Sequence, residues 1–265
     1  MALALRQNGL ASRLIGVEHN EGHAARALEL RLVDEVQSLE AAVMASELVV
    51  LAVPVNVLMS LLPGVLDLVK EQVVLDVGST KEGILRAIAN HPARGRFVAT
   101  HPMWGTEYSG PDAAVAGAFT GKACVVCNSD ESDADAVDLV ERIYRLLGMH
   151  LVYMDAHDHD VHVAYVSHIS HITSFALANT VLEKEREEDA IFELASGGFE
   201  STVRLAKSNP AMWVPIFREN RENVLDVLNE HITQLRKFKA CLEKENYDYL
   251  RELIEEANKI RRIIK

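Results

Sequence analysis

Up to Tyr153 the chain alternates short apolar runs with stretches in which apolar positions recur every three to four residues. The runs predict strands at Arg13 to Val17, Leu48 to Val53, Val73 to Val77, Phe97 to Thr100, Ala123 to Cys127 and His150 to Tyr153. The periodic stretches predict helices at Glu21 to Leu32, Val55 to Val69, Lys81 to Asn90 and Ser132 to Leu147, the last closed by Gly148 as a C-cap. Strands alternating with helices predict an α/β domain with a mainly parallel sheet. Beyond Met154 the strand pattern stops. A helix opened by Asp155 as N-cap runs towards Glu183 without Gly or Pro, about 28 residues and roughly 42 Å. That length exceeds what a small domain covers and predicts contacts with a second subunit. Further helices are expected at Asp189 to Ala195, Glu200 to Ala206, Ala211 to Glu245 with a break, and Tyr247 to Ile264.

Composition narrows the function. A net charge of −12 over 265 residues argues against nucleic acid and against an anionic membrane surface. No apolar stretch is long enough to span a bilayer, and Met1 to Leu5 lacks the basic flank of a secretory signal. Three cysteines form no disulfide framework, which fits a reducing cytoplasm. The C-x-x-C of Cys124 and Cys127 lies in a strand, so the two thiols point to opposite sheet faces and read as small buried hydrophobes. The basic end from Lys259 to Lys265 suits the C-terminal pole of a helix.

The chemistry gathers at strand tips. Val73 to Val77 ends in Gly78-Ser79-Thr80-Lys81, and Phe97 to Thr100 ends in His101-Pro102-Met103-Trp104-Gly105-Thr106-Glu107. In open α/β sheets ligands bind at the carboxyl ends of the strands, which places Ser79 and His101 at one crevice. Val53 and Pro54 stand at the tip of another strand and, with Ser79, are candidate cofactor contacts. Glu18 follows the earliest strand run, and an acidic residue at a second-strand tip is where a dinucleotide fold holds the adenine ribose hydroxyls; no Arg or Lys adjoins it, which favours NAD over NADP. A fold of this kind has a first strand and a Gly-x-Gly-x-x-Gly turn before such a segment. The sequence contains neither, and an N-terminally incomplete chain is the expectation.

Two later clusters stand out. Residues 155–171 hold five histidines, His157, His159, His162, His168 and His171. A helical metal site would pair histidines at i and i+4 around a Glu, as in H-E-x-x-H, which this run lacks. A polar stripe facing a cleft is the alternative: Ser167 and His171 share a face, while His157, His159 and His162 read as fillers of a wet interface. A Ser–His acyl-transfer pair lacks a nucleophile elbow. Downstream, Gly197-Gly198 is expected to break a helix before Arg204, a residue suited to bidentate carboxylate binding when not spent on a surface ion pair, and Trp213 follows as a core aromatic.

Taken together, Asp76-Val77-Gly78-Ser79-Thr80-Lys81, His101-Pro102-x-x-Gly105-Thr106-Glu107-x-Ser109-Gly110, Ser167-His168-Ile169-Ser170-His171, and Gly198-Phe199 with Arg204 and Met212-Trp213 resemble the prephenate dehydrogenase family. The resemblance implies a nucleotide-binding, Rossmann-like domain over 1–153, without its first strand, and an all-α substrate and dimerisation domain over 154–265. It implies NAD as cofactor, a small anionic substrate (prephenate), a homodimer and no metal. It implies that His101 takes the ring hydroxyl proton, that Ser79 steadies that histidine and hydroxyl, and that His171 and Arg204 anchor substrate. Ser167 and Trp213 then line the pocket and Glu107 sits at its rim. Trp104 and Ser170 depart from the family pattern. Arogenate dehydrogenase, a non-catalytic module binding an aromatic acid, and a helix-borne metalloprotein are the alternatives.

Overall fold

The computed structural model describes residues 1–185 and 191–263. They fall into two compact units, Met1–Asn220 and Arg221–Lys265. In the first unit the strands are β1 (Ile15–Gly16), β2 (Glu35–Val36), β3 (Leu48–Leu51), β4 (Val73–Asp76), β5 (Phe97–Pro102), β6 (Ala123–Cys127) and β7 (His150–Met154). β1 and β2 form a parallel pair of their own, and β3 to β7 form a second sheet in chain order. β2 escaped the sequence reading because two residues carry no periodicity. The helix Leu39–Met44, capped by Ser38, is a single short turn and half and was missed for the same reason.

One strand departs from the parallel pattern. β6 runs antiparallel to β5, with His101 opposite Val125 and Pro102 opposite Cys124, and β7 follows β6 in parallel. β7 therefore leaves the sheet at the edge opposite to the carboxyl end of β5. The helix Ala156–Val163 then returns, packed against β6 and the helix Glu82–Ile88. The apolar faces of β3 to β7 are covered on both sides. Cys127 packs in one core cluster with Val125 and Ile88, Cys124 in the other with Val126 and Tyr144. Burial pushes both thiols up to about 12, so neither carries a thiolate at neutral pH.

Beneath the strand tips lies a buried ion pair. Asp76 and Lys81 are both fully buried, and Lys81 Nζ donates to Asp76 Oδ2. The carboxylate also accepts the Gly78 N–H at 2.9 Å and the Thr100 N–H at 3.0 Å. Thr100 Oγ1 donates to the Asp76 carbonyl and lies 2.7 Å from Tyr144 Oη. A Cβ at Gly78 would sit 2.8 Å from Asp76 Oδ2, so the loop can wrap the carboxylate only with glycine there.

The histidine-rich segment is not one regular helix. Asp155 accepts the Asp158 N–H at 2.8 Å and caps Ala156–Val163. A π-helical turn, Ala164–His168, follows, and Ile169–Glu185 continues the rod. Gly197 and Gly198 begin the helix Gly197–Val203 rather than breaking one, and Arg204 opens a 3₁₀ turn, Arg204–Lys207. The expected break in Ala211 to Glu245 falls at Asn220, between Pro210–Glu219 and Arg221–Glu243. Asp189, start of another expected helix, lies outside the described residues; a 3₁₀ turn spans Phe192–Leu194.

In the second unit Asn246 accepts the Tyr249 N–H at 3.2 Å and caps Tyr247–Ala257, which follows Arg221–Glu243. A 3₁₀ segment, Asn258–Arg262, continues it, and Ile264 and Lys265 lie outside the described residues.

Removing one partner of a buried pair leaves the other charge uncompensated, at a cost of about 3–5 kcal/mol. Lys81→Met is expected to lower the free energy of urea unfolding by that order. The double substitution Asp76→Asn with Lys81→Met is expected to lose less than the single one.

Candidate active site

β4 and β5 deliver two loops to the same edge. The first, Val77 to Lys81, is held from below by Asp76 and from the side by Asp160. Asp160 Oδ1 accepts the Lys81 N–H at 2.8 Å and Oδ2 accepts the Glu82 N–H at 3.0 Å. Ser79 rides on this loop, half-buried. The second delivers His101. Its Nδ1 lies 2.9 Å from His159 Nε2, and His159 Nδ1 lies 2.7 Å from Asp160 Oδ1. His159 and Asp160 are buried. The expectation that His159 fills a wet interface is thus corrected, because the returning helix turns it inward under β5. His157 and His162 on the same helix are exposed, with His157 facing Glu82 at 3.6 Å.

The network extends along the rod. Asn220 Nδ2 donates to the Asp160 carbonyl at 2.7 Å and lies 3.2 Å from His168 Nδ1. Buried His168 meets Trp213 edge to face, with centroids 5.9 Å apart. His171 stacks on Trp213 at 3.4 Å and 26°, and its Nδ1 donates to the Ser167 carbonyl at 3.0 Å. Trp213 is therefore both a core aromatic and the platform under His171. Arg204 Nη1 donates to Glu107 Oε2 at 3.0 Å. Glu107 is largely buried while Arg204 is half exposed. Its own backbone N–H, and then Arg204, hold the Glu107 carboxyl below the usual range. Trp104 packs edge to face on Phe119 in the core.

Burial keeps the histidines neutral. It pushes His101 well below 6.5, helped by His159, Lys81 and His168. It lowers His159 against the opposing pull of Asp160, and brings His168 down to about 4. His171 is lowered too, first by burial, with Arg204 adding to it. At neutral pH His101 thus keeps one ring nitrogen bare as an acceptor, while burial makes its protonated form costly.

On the other side of the loops, Glu18 follows β1. Its Oε1 accepts the Asn20 N–H at 2.8 Å, an arrangement that leaves a carboxylate at the strand tip. Val53 and Pro54 follow β3 and open the helix Val55–Leu68, whose N-terminus has no side-chain cap. Thr80 Oγ1 is buried without a hydrogen-bond partner in the loop beside them.

These features define a nucleotide-binding α/β protein with its proton-handling group at the strand tips. The chain belongs to the prephenate dehydrogenase family: residues 1–153 match the family's nucleotide-binding domain and residues 155–256 its dimerization domain. It is 29% identical over 254 residues to the prephenate dehydrogenase of Bacillus subtilis, covering 94% of this chain and 68% of that one. It is 29% identical over 245 residues to the cyclohexadienyl dehydrogenase of Zymomonas mobilis, covering 91% and 83%. The crystal structure of prephenate dehydrogenase from A. aeolicus in complex with hydroxyphenyl propionate and NAD+ superposes with a TM-score of 0.90 at 29% identity, over 100% of this chain and 93% of that one.

The structure thus joins His101, through contacts, to His159 and Asp160, to Asn220 and His168, and on to Trp213 and His171. Arg204 and Glu107 form a pair beyond His171. Among the described residues, Ser79 makes no hydrogen bond to His101; His159 occupies the Nδ1 side of that ring. Sequence reading missed His159, Asp160, His168 and Asn220 as members of one network. The only signal was the density of histidines, which does not say which of them turn inward.

The folded state holds His101, His159 and His168 neutral, whereas the unfolded chain protonates them near pH 6.5. On acidification the unfolded state therefore binds more protons. Their contribution to stability is present above pH 6.5 and is lost as pH falls from there towards about 4, the value for His168, with a slope of up to about 1.4 kcal/mol per pH unit per histidine. Urea unfolding followed from pH 7 to pH 4 is expected to show this loss, and His168→Gln to show a shallower one.

Proposed function

We propose that the chain catalyses the oxidative decarboxylation of prephenate to 4-hydroxyphenylpyruvate with hydride transfer to NAD, a step of tyrosine biosynthesis, as a cytoplasmic homodimer. The observation that carries this reading is a half-buried, neutral His101 at the carboxyl end of β5, joined through His159 to Asp160, in a chain of this family. The dimer reading is supported by the match to the dimerization domain and by exposed Leu225, Leu235, Leu242 and Ile254 on the helices of the second unit.

The residues present suit the two ends of a dinucleotide. Glu18 offers a carboxylate acceptor for ribose hydroxyls, and Val53, Pro54 and Ser79 border the loops where a nicotinamide would lie. The orphaned Thr80 hydroxyl is a donor without a partner in that loop. The 265 residues contain no Gly-x-Gly-x-x-Gly turn to cradle a pyrophosphate. When bound, NAD supplies the hydride acceptor.

His101 accepts the proton of the C4 hydroxyl as that carbon loses its hydride and becomes a carbonyl. Loss of CO2 from the ring carbon opposite then sends the C–C bonding pair through the ring to the oxygen, and His101 returns the proton to give the phenol. Protons balance without release to solvent. Ser79, on the loop clamped by Asp76 and Asp160, hydrogen-bonds the same hydroxyl in this reading. Prephenate is a dianion, which calls for cations in an acidic protein. Arg204 is the carboxylate clamp: one of its five N–H donors meets Glu107, and the planar fork retains others. His171, flat on Trp213 beside the Ser167 carbonyl, presents its Nε2 edge to the guest.

With prephenate and NAD, the purified protein is expected to produce NADH followed by absorbance; no NADH at any substrate concentration would refute the reading. His101→Asn is expected to cut turnover by about 10²–10⁴ while substrate binding persists. Arg204→Ala is expected to raise KM with a smaller effect on turnover, and a normal KM would remove Arg204 from the clamp.

A further inference from the structure

His101 does not stand alone: His159 and Asp160 line up behind it. Asp160 accepts two backbone N–H bonds, from Lys81 and Glu82, and those bonds require acceptor oxygens at both carboxylate positions. Only a donor can therefore share Oδ1, so His159 carries its proton on Nδ1, 2.7 Å away. A neutral His159 then has a bare Nε2. The ring nitrogen 2.9 Å from it, His101 Nδ1, must be the donor of that pair. By elimination the lone pair of His101 is on Nε2, the nitrogen that faces away from the network. The two rings cross at 66° with centroids 5.1 Å apart, a geometry in which each edge nitrogen meets the other in plane instead of stacking.

We propose that His159 and Asp160 are positioning residues that fix His101 as the Nδ1–H tautomer, with Nε2 bare towards the substrate, and that stabilise the imidazolium it becomes. The proposal rests on the prephenate reading for its chemistry and on the hydrogen-bond chain for its geometry. In that chemistry the proton must stay on His101 from hydride departure until CO2 has left, then return to the same oxygen. A carboxylate two links away, itself fixed by backbone, favours the charged ring for that interval without removing the proton. Asp160 also holds the loop that carries Ser79, so base and loop share one anchor.

Imidazole nitrogens of ¹⁵N-histidine-labelled protein report tautomers directly by NMR, with no need for turnover. Wild-type protein is expected to show His101 and His159 both as Nδ1–H tautomers. His159→Leu is expected to convert His101 to a mixture of tautomers and to lower kcat by roughly 10–100-fold, less than loss of the base itself, with KM within about threefold. His159→Gln can accept from His101 through its amide oxygen and donate to Asp160 through its amide nitrogen. It is expected to retain the Nδ1–H tautomer and to recover most of the loss. An Nε2–H tautomer of His101 in the wild type, or wild-type kcat in His159→Leu, would overturn the proposal. So would a glutamine variant that is no better than the leucine one. A wild type that makes no NADH from prephenate yet shows both Nδ1–H tautomers would refute the substrate reading and leave the positioning pair standing.

Discussion

One carboxylate organises the site. Asp160 is caught between the backbone of the β4 loop and the imidazole of His159, and each of its oxygens is committed to an N–H of that loop. Burial makes this commitment strict, since a buried carboxylate must have its acceptor positions filled. The loop cannot shift without stranding Asp160, and the histidine-bearing helix cannot shift without stranding the loop's amides. The loop of Ser79 and the ring of His101 consequently share one anchor even though they belong to different segments. Asp76 does the same from beneath, tying β4 to β5 through the Thr100 amide and to the loop through Gly78 and Lys81.

The protein solves an electrostatic problem by excluding water. An acidic chain that takes a dianion needs basic groups whose charge is not already spent. Buried histidines add no charge at neutral pH, because desolvation disfavours their protonated form; they offer bare ring nitrogens instead. Arg204 carries permanent charge, half exposed with Glu107 against it. Permanent charge thus lies outside and the neutral histidines inside. Lys81 is the exception that fits the rule, since its ammonium is consumed entirely by Asp76.

Much of this was legible in the residues. The apolar runs marked every strand of four residues or more, and the antiparallel turn at β6 was the main topological surprise. Strand direction depends on how loops close, which periodicity does not encode. Ser79 and His101 were readable because each follows a strand end directly. His159 was not, because five histidines on one segment look alike until a neighbouring strand decides which one is covered. Asn220 was further still from view: it lies 60 residues from the Asp160 carbonyl it serves, at a helix break the sequence marks only vaguely. The π-helical turn has no signature in hydrophobic pattern at all.

That turn sets the angular phase of the rod. An α-helix advances 100° per residue, and a widened turn accommodates one residue more than a regular one. Upstream of it, His159 and Asp160 turn inward to His101; downstream, His171 lies flat on Trp213. Were the same residues wound as a regular α-helix, with no wide turn at Ala164–His168, the downstream half would be rotated about the axis by roughly a quarter turn. The direction in which His171 faces, relative to His159, therefore depends on one wide turn rather than on helix content.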